Sequence, residues 1–136
     1  MNKRLLLVLG LILMACASVL FTVWHVNATH VKTARLADYA LESKEEKVTI
    51  LFYRDDCPYC SALMPYIDEL EHKTSAQKII RVSTNNQPGK SLAVKYKIKT
   101  VPTMILSSEP TKLYSVTSGS PNNVKVDRQL VDRLVK

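Results

Sequence analysis

The sequence predicts an α/β domain with a mixed central sheet flanked by helices, preceded by an N-terminal transmembrane or signal segment. Three observations support this prediction: an uncharged apolar run near the N-terminus, helical and strand patterns that alternate through the rest of the chain, and a strand segment that is apolar on both faces. At 136 residues the chain has room for one domain beside the apolar run.

The apolar run extends from Leu5 to Trp24 and follows Lys3 and Arg4. A helix of this length rises about 30 Å, which matches the hydrocarbon core of a bilayer. Because the run has no polar face to turn toward solvent, a buried core helix is a poor alternative. The two cations before the run favour an N-terminus inside the cytoplasm and a domain outside it.

Residues 1–28 are therefore interpreted as a signal anchor or signal peptide, and residues 29–136 as the folded domain. Cleavage stays open, because Val26-Asn27-Ala28 and Ala15-Cys16-Ala17 both have the small residues that signal peptidase recognises. Lipid attachment at Cys16 is a third alternative. The predicted location is the cell membrane, crossed once, with the domain outside the cytoplasm; the alternative is a secreted or lipid-anchored protein.

The remaining chain alternates between helical and strand patterns in the order α, β, α, β, α, β, β, α. Helices are predicted at 33–47, after Cys57, at 91–96 and at the C-terminus, where Val126, Leu130, Val131 and Leu134 are the apolar positions. Strands are predicted at 48–53, 79–83, 103–107 and 113–117, a linker at 25–32, a turn at 85–90 and a break at 118–123. This order implies a mixed sheet with helices on both faces.

The formal net charge is +7, and the cations are scattered along the chain. No nucleic-acid partner is expected, since the densest basic segments lack interleaved aromatic residues and any nucleic-acid motif. A solvated basic surface is the favoured interpretation, and attraction to anionic lipid or wall polymers is the alternative.

Two of the three cysteines lie two residues apart in "DDCPYC", residues 55–60. Cys57 follows a predicted strand, and Pro58 takes the first helical position, where its missing N–H is not needed. The unpaired N–H groups and partial positive charge of a helix N-terminus favour a thiolate, so Cys57 is the candidate nucleophile. Cys60, one turn further along, can attack a mixed disulfide on Cys57 and release the partner.

Two other roles for this pair are weaker. A structural disulfide that closes so short a loop constrains the unfolded chain by only about 2 kcal/mol, against nearly 5 kcal/mol for a loop of about a hundred residues. A zinc site needs further ligands, and outside the N-terminal segment and linker only His72 is available. Redox exchange is therefore favoured, with no metal and no cofactor.

Two segments, "VTILFYRDDCPYCSALMPYIDEL" and "NNQPGKSLAVKYKIKTVPTMIL", resemble the thioredoxin family. They carry a strand, the CxxC pair, a helix with Pro65 five residues after the second cysteine, and the pattern "PG…KY.I…VPT". The resemblance covers about Val48 to Leu106. It implies a thioredoxin-like fold and a thiol–disulfide oxidoreductase whose redox-active disulfide joins Cys57 and Cys60.

The resemblance also implies that Val101-Pro102 is a cis peptide bond facing the cysteines. That loop presents the Val101 backbone to an extended substrate peptide. Tyr59 is a further candidate contact. The expected substrate-binding residues are therefore Val101, Pro102 and Tyr59.

The chain departs from the family at three positions near the cysteines. Many relatives have a buried carboxylate six residues before the first cysteine; here that position is Leu51, with Arg81 as the accompanying basic residue. Asp56 replaces the usual tryptophan and stands beside Asp55. These two carboxylates oppose the helix dipole and disfavour a Cys57 thiolate, so exchange slower than that of a cytosolic thioredoxin is expected.

The predicted function is extracytoplasmic disulfide exchange in exported, cysteine-containing proteins of a bacterial cell envelope. A redox partner, not identified by the sequence, is expected to exchange electrons with the cysteine pair. Val101 and the Pro58-Tyr59 pair favour an oxidase or isomerase, whereas a reductase needs a membrane electron donor that this chain does not contain. The alternative from another class is a non-catalytic thioredoxin-fold binding module of a secretion, bacteriocin or conjugation assembly.

Overall fold

The computed structural model describes residues 2–44, 48–73 and 78–135. Its elements in chain order are α1 (Lys3–Ser43), β1 (Val48–Tyr53), α2 (Pro58–Lys73), β2 (Lys78–Ser83), α3 (Gln87–Lys95), β3 (Thr103–Leu106), β4 (Tyr114–Ser115), β5 (Thr117–Ser120), β6 (Asn123–Val126) and α4 (Arg128–Val135). The last three residues of the helix predicted at 33–47 lie outside the described residues.

Four strands form the central sheet in the order β2-β1-β3-β4. β1 pairs in parallel with β2, where Val48 lies opposite Lys78, and antiparallel with β3, where Leu51 lies opposite Met104. β3 pairs antiparallel with β4. The predicted mixed sheet is confirmed, since the crossover through α2 makes one parallel pair and the later strands add antiparallel ones.

β1 is buried on both faces, as its uninterrupted apolar sequence predicts. Ile50 and Phe52 belong to the cluster that α1 and α3 cover. Leu51, which points the other way, belongs to the cluster formed with α2 and α4. All three side chains are fully buried, so β1 connects the two halves of the core.

α1 continues without a break from the apolar run into the domain. The prediction of a linker at 25–32 is wrong, because that segment contains neither glycine nor proline and stays helical. The hydroxyls of Thr29 and Thr33 donate hydrogen bonds to the carbonyl oxygens of His25 and Thr29, at 2.9 and 3.0 Å. Further along, α1 packs on the sheet through Ala34, Ala37, Ala40 and Leu41.

α3 begins inside the segment that was predicted as a turn at 85–90. The side chain of Asn86 caps the helix by accepting a hydrogen bond from the Gly89 N–H at 2.9 Å. Pro88 lies in the first turn, where a proline is well tolerated. The residues that suggested a turn are therefore the start of a helix.

β5 and β6 form a separate two-stranded antiparallel sheet that the sequence did not predict. The segment predicted as a break at 118–123 forms most of this hairpin, with Gly119 at a φ of 95°. Its strands are short and largely exposed, so they lack the apolar alternation that reveals a strand. Val126 belongs to β6, and the last helix begins later, at Arg128.

Candidate active site

Cys57 lies in the loop after β1, immediately before α2, and Cys60 lies in the first turn of that helix. The Cys57 carbonyl accepts hydrogen bonds from the backbone N–H of Ser61, at 3.0 Å, and from its hydroxyl, at 3.2 Å. Both cysteines are free thiols. Cys57 keeps 8% of its surface exposed and Cys60 only 1%, so Cys57 is the more accessible of the two.

The Cys57 thiol faces the loop between α3 and β3. It donates a hydrogen bond to the Val101 carbonyl oxygen, with 3.5 Å between sulfur and oxygen. Val101-Pro102 is a cis peptide bond, as the resemblance implied. The Thr103 hydroxyl donates to the Thr100 carbonyl at 2.7 Å and ties the loop together. The fold thus joins two segments that are 44 residues apart along the chain.

Tyr59 is half-buried beside the β5–β6 hairpin. Its hydroxyl donates a hydrogen bond to the Gly119 carbonyl at 3.1 Å. This bond attaches the hairpin to the start of α2. The role of Tyr59 as a substrate contact stays a prediction, and the hairpin is a neighbour of the site that the sequence did not reveal.

The Cys60 thiol is held in its protonated form. Burial raises the pKa of this thiol to about 12, since a thiolate loses its hydration there. A hydrogen bond from the Arg54 backbone acts in the opposite direction, and the hydrogen bond and charge of Cys57 add to the rise in pKa. Cys60 must therefore give up a proton before it can attack a mixed disulfide.

Alkylation of the reduced protein tests this difference between the two cysteines. At about pH 8 we expect iodoacetamide to modify Cys57, the more exposed sulfur, and to leave Cys60 largely unmodified, because burial keeps the Cys60 thiol protonated and only a thiolate reacts. The alkylation rate at Cys60 should keep rising with pH toward its pKa of about 12. Mass spectrometry of digests reports both rates, and denatured protein is the control; equal rates in the folded protein would contradict the burial of Cys60.

A surface pocket of about 310 Å³ borders Cys60, so a proton that leaves the Cys60 thiol can be transferred through this pocket. The other residues that line it are Tyr53, Arg54, Asp55, Ser61, Met64 and Arg81. Leu51, at the position where relatives have a carboxylate, is fully buried among apolar side chains and cannot accept a proton. Within this pocket the carboxylate of Asp55 and solvent are the available acceptors.

Arg81 lies in this pocket but is paired with acidic residues of α2. Its guanidinium contacts Asp68 and Glu71, each at 2.6 Å. Burial is the largest single influence on the pKa of Arg81 and lowers it. The hydrogen bonds and charges of Glu71 and Asp68 together raise this pKa by more, so the net shift is upward. The side chain therefore braces α2 against β2 beside Cys60.

Arg54 is a neighbour of the cysteines that the sequence analysis missed. It forms a two-pronged ion pair with Asp56, in which Nε–Oδ1 is 2.8 Å and Nη2–Oδ2 is 2.7 Å. The hydrogen bond from Arg54 lowers the pKa of Asp56. Arg54 therefore offsets the charge of Asp56, one of the two carboxylates that were expected to oppose a Cys57 thiolate. Arginine and aspartate at this spacing are too common in loops to signal such a pair.

Removal of Arg54 tests the effect of this ion pair. We expect Arg54→Ala to slow disulfide exchange roughly threefold to tenfold, since the charge of Asp56 then acts on the developing thiolate without compensation. Arg54→Ala combined with Asp56→Ala should restore most of the rate. Stopped-flow reduction of a small aromatic disulfide gives the rate, and an unchanged rate in the single variant would contradict the electrostatic role.

Comparisons with known proteins agree on one family. A family model described as Thioredoxin matches residues 27–130. Thioredoxin Y2, chloroplastic, of Arabidopsis thaliana is 30% identical over 105 residues, which are 76% of this chain and 61% of that protein. Thioredoxin 1 of Synechococcus elongatus is 27% identical over 88 residues, 62% and 80% of the two chains. Thioredoxin of Peptoclostridium acidaminophilum is 29% identical over 86 residues, 63% and 77% of the two chains.

Proposed function

Because the chain belongs to the thioredoxin family, we propose that it is an extracytoplasmic thiol–disulfide oxidoreductase that exchanges disulfides in exported proteins. The observation that carries the proposal is the position of Cys57. It lies directly before α2, and its sulfur is 3.5 Å from the Val101 carbonyl oxygen. Cys60 lies one turn further in and is almost completely buried. These positions support a role for Cys57 in the attack on the substrate and a role for Cys60 in the step that completes the reaction.

The reaction has two exchange steps. The Cys57 thiolate attacks one sulfur of a client disulfide, forms a mixed disulfide, and releases the other client sulfur as a thiolate, which takes up a proton. Cys60, once deprotonated, attacks the sulfur of Cys57 and releases the second client thiolate. The client gains two electrons, and the enzyme keeps a Cys57–Cys60 disulfide. In the opposite direction a client dithiol attacks this disulfide and is itself oxidised.

Val101 gives the client a place to bind. An extended client segment beside Val101 can form backbone hydrogen bonds there while its cysteine meets Cys57. The reduced site satisfies the Val101 carbonyl with the Cys57 thiol, and that hydrogen bond is lost when the sulfur becomes a thiolate or forms a disulfide. Client binding and the chemical step therefore use the same short loop.

The proposed location rests on the N-terminal helix. α1 is long and apolar enough to cross a membrane, and the apolar side chains of its first part are exposed in the structure. Lys3 and Arg4 precede the apolar run, and this arrangement favours a domain outside the cytoplasm. Disulfides persist in that environment, so cysteine-containing clients are available there.

The test uses intact bacterial cells that produce the full chain. A membrane-impermeant maleimide should label Cys57 without lysis once the cells are treated with a reductant, and a Cys60→Ser variant should accumulate mixed disulfides with exported proteins. Labelling only after lysis, or trapped clients that are all cytoplasmic, would contradict the proposal. Acid quenching followed by alkylation gives the direction, because a mainly oxidised pair identifies an oxidase and a mainly reduced pair a reductase or isomerase.

A further inference from the structure

The orientation of the domain relative to the apolar run is set by α1, because this helix belongs to both. Its C-terminal part is fixed on the sheet by Ala34, Ala37, Ala40 and Leu41. The apolar run ends at Trp24, and the first half-buried residue is His30. Six helical residues rise about 9 Å, so the domain begins close to the end of the run.

Contacts with α3 reveal which end of the domain is nearest the run. Pro88, in the first turn of α3, shares a pocket with Arg35 of α1. Seven residues later in both helices, Lys95 forms an ion pair with Glu42 at 2.6 Å. The two helices therefore run in the same direction, and the N-terminus of α3 lies at the end of the domain that is nearest the apolar run.

The cysteines lie at this same end. The Thr84 N–H, just before α3, donates to the carbonyl of Tyr53, the last residue of β1, at 2.8 Å. The backbone N–H of Asp55, two residues before Cys57, donates to the Asn85 side chain at 3.2 Å. β1 thus runs back toward the apolar run and delivers Cys57 there. We call this the cysteine end of the domain: residues 54–57, 84–90 and 99–102.

The opposite end is where β1 begins. The Val48 carbonyl accepts a hydrogen bond from the Ser107 N–H at 2.9 Å, so the turn that contains Ser108 lies there. A strand of six residues spans about 17 Å. The opposite end therefore lies about 17 Å from the cysteine end, measured along β1.

Two lysines are exposed at the cysteine end, where Lys90 and Lys99 line one pocket of about 360 Å³ next to Val101. Arg54 borders the same pocket, but its charge is paired with that of Asp56, so the lysines supply the positive charge there. Lys32 and Arg35 project from α1 between this end and the apolar run, and both are exposed as well. Basic residues close to a bilayer are attracted by anionic headgroups within about one Debye length, roughly 8–10 Å.

We propose that the cysteine end faces the bilayer and lies against anionic lipid headgroups, so that Cys57 exchanges with thiols and disulfides held near the membrane surface. The continuous helix sets the direction, and the basic side chains supply the attraction. The exchange rests on the proposed activity; the orientation rests on the proposed membrane crossing by α1, on the directions of α1 and β1, and on the charges.

Fluorescence quenching in vesicles tests the orientation. The full chain, with its three cysteines replaced by serine, carries one fluorophore at Gln87→Cys on the cysteine end or at Ser108→Cys on the opposite end, two positions that are both exposed. Vesicles of phosphatidylcholine and phosphatidylglycerol carry a quencher on their headgroups. We expect stronger quenching at position 87 than at position 108. Equal quenching or the reverse order would overturn the proposal.

A charge change tests the contact with lipid. Lys90→Glu together with Lys99→Glu should reduce quenching at position 87 in vesicles that contain phosphatidylglycerol and have little effect in pure phosphatidylcholine. The matched control is Lys112→Glu, near the opposite end, which should change neither. Unaltered quenching in the Lys90 and Lys99 variant would overturn the lipid contact. The finding that cells cleave residues 1–28 from the protein would overturn it as well, because the domain would then lose its anchor.

Reduction of insulin by the unlabelled protein keeps this test separate from that of the proposed function. Loss of insulin reduction together with the expected order of quenching refutes the exchange activity and leaves the orientation supported. Full activity with equal quenching at the two positions refutes the orientation and leaves the activity supported.

Discussion

We expect Cys57→Ser to abolish disulfide exchange, and Cys60→Ser to allow the first attack and to stop the reaction at a mixed disulfide. Cys57 is the more exposed sulfur and the one that contacts the Val101 carbonyl. Without it no bond to the client forms, because Cys60 is buried and burial raises its pKa to about 12. Without Cys60, no thiol in the site can release the client from Cys57.

Two measurements separate these outcomes. Insulin reduction with dithiothreitol as the electron donor should fall to the uncatalysed rate in Cys57→Ser. Non-reducing electrophoresis should reveal a stable adduct between Cys60→Ser and a disulfide-containing peptide, which dithiothreitol dissolves. Cys16→Ser is the matched control, since Cys16 lies in the exposed apolar part of α1, and it should keep full activity.

The same variants discriminate against the alternative of a binding module. A protein that only holds a partner keeps that partner, and its cellular phenotype, when Cys57 becomes serine. An exchange enzyme loses its phenotype. Turnover retained by Cys57→Ser would contradict the mechanism proposed for this site.

Local sequence patterns predicted the part of the site that depends on short-range chemistry. Pro58 directly after a cysteine, behind an apolar strand, identified the helix start and therefore the more accessible sulfur. The facing loop at Val101 could not be derived in this way. Its position depends on pairing between β1 and β3, which brings together residues more than forty positions apart, and only the resemblance to a family indicated it.

The features that the sequence did not reveal depend on tertiary context. The β5–β6 hairpin consists of short, largely exposed strands and is attached to the site through Tyr59 and Gly119, so no periodic burial marks it in the sequence. The linker predicted at 25–32 contains polar residues that suggest a break, yet the helix continues because none of them disrupts helical hydrogen bonding. In both cases polar composition was interpreted as absence of structure.

Gly89→Ala should be among the most destabilising single methyl additions in this protein. Gly89 is buried in the first turn of α3. A Cβ atom at this position would lie 1.8 Å from the Ser83 carbonyl oxygen and 2.8 Å from its carbon. These atoms belong to the backbone of β2, so they cannot rotate away as the end of a side chain could. α3 itself must move away from the sheet.

We expect this displacement to lower the free energy of unfolding by about 3 kcal/mol, near the upper end of the usual range for overpacking. Exchange activity should fall as well, because α3 leads directly into the loop that holds Val101 next to Cys57. Chemical denaturation of the full chain in detergent micelles, followed by circular dichroism, measures the change in stability.

Gly10→Ala is the matched control, because it adds the same methyl group where the new Cβ meets no atom within 4 Å beyond the local backbone of its own helix. It should leave activity unchanged and should not lower stability, since alanine is favoured over glycine inside a helix. A Gly89→Ala protein that is as stable as the Gly10→Ala protein would mean that α3 does not approach β2 as closely as the Ser83 contact requires. The placement of the Val101 loop beside Cys57 would then lose its structural basis, since α3 is the element that positions this loop.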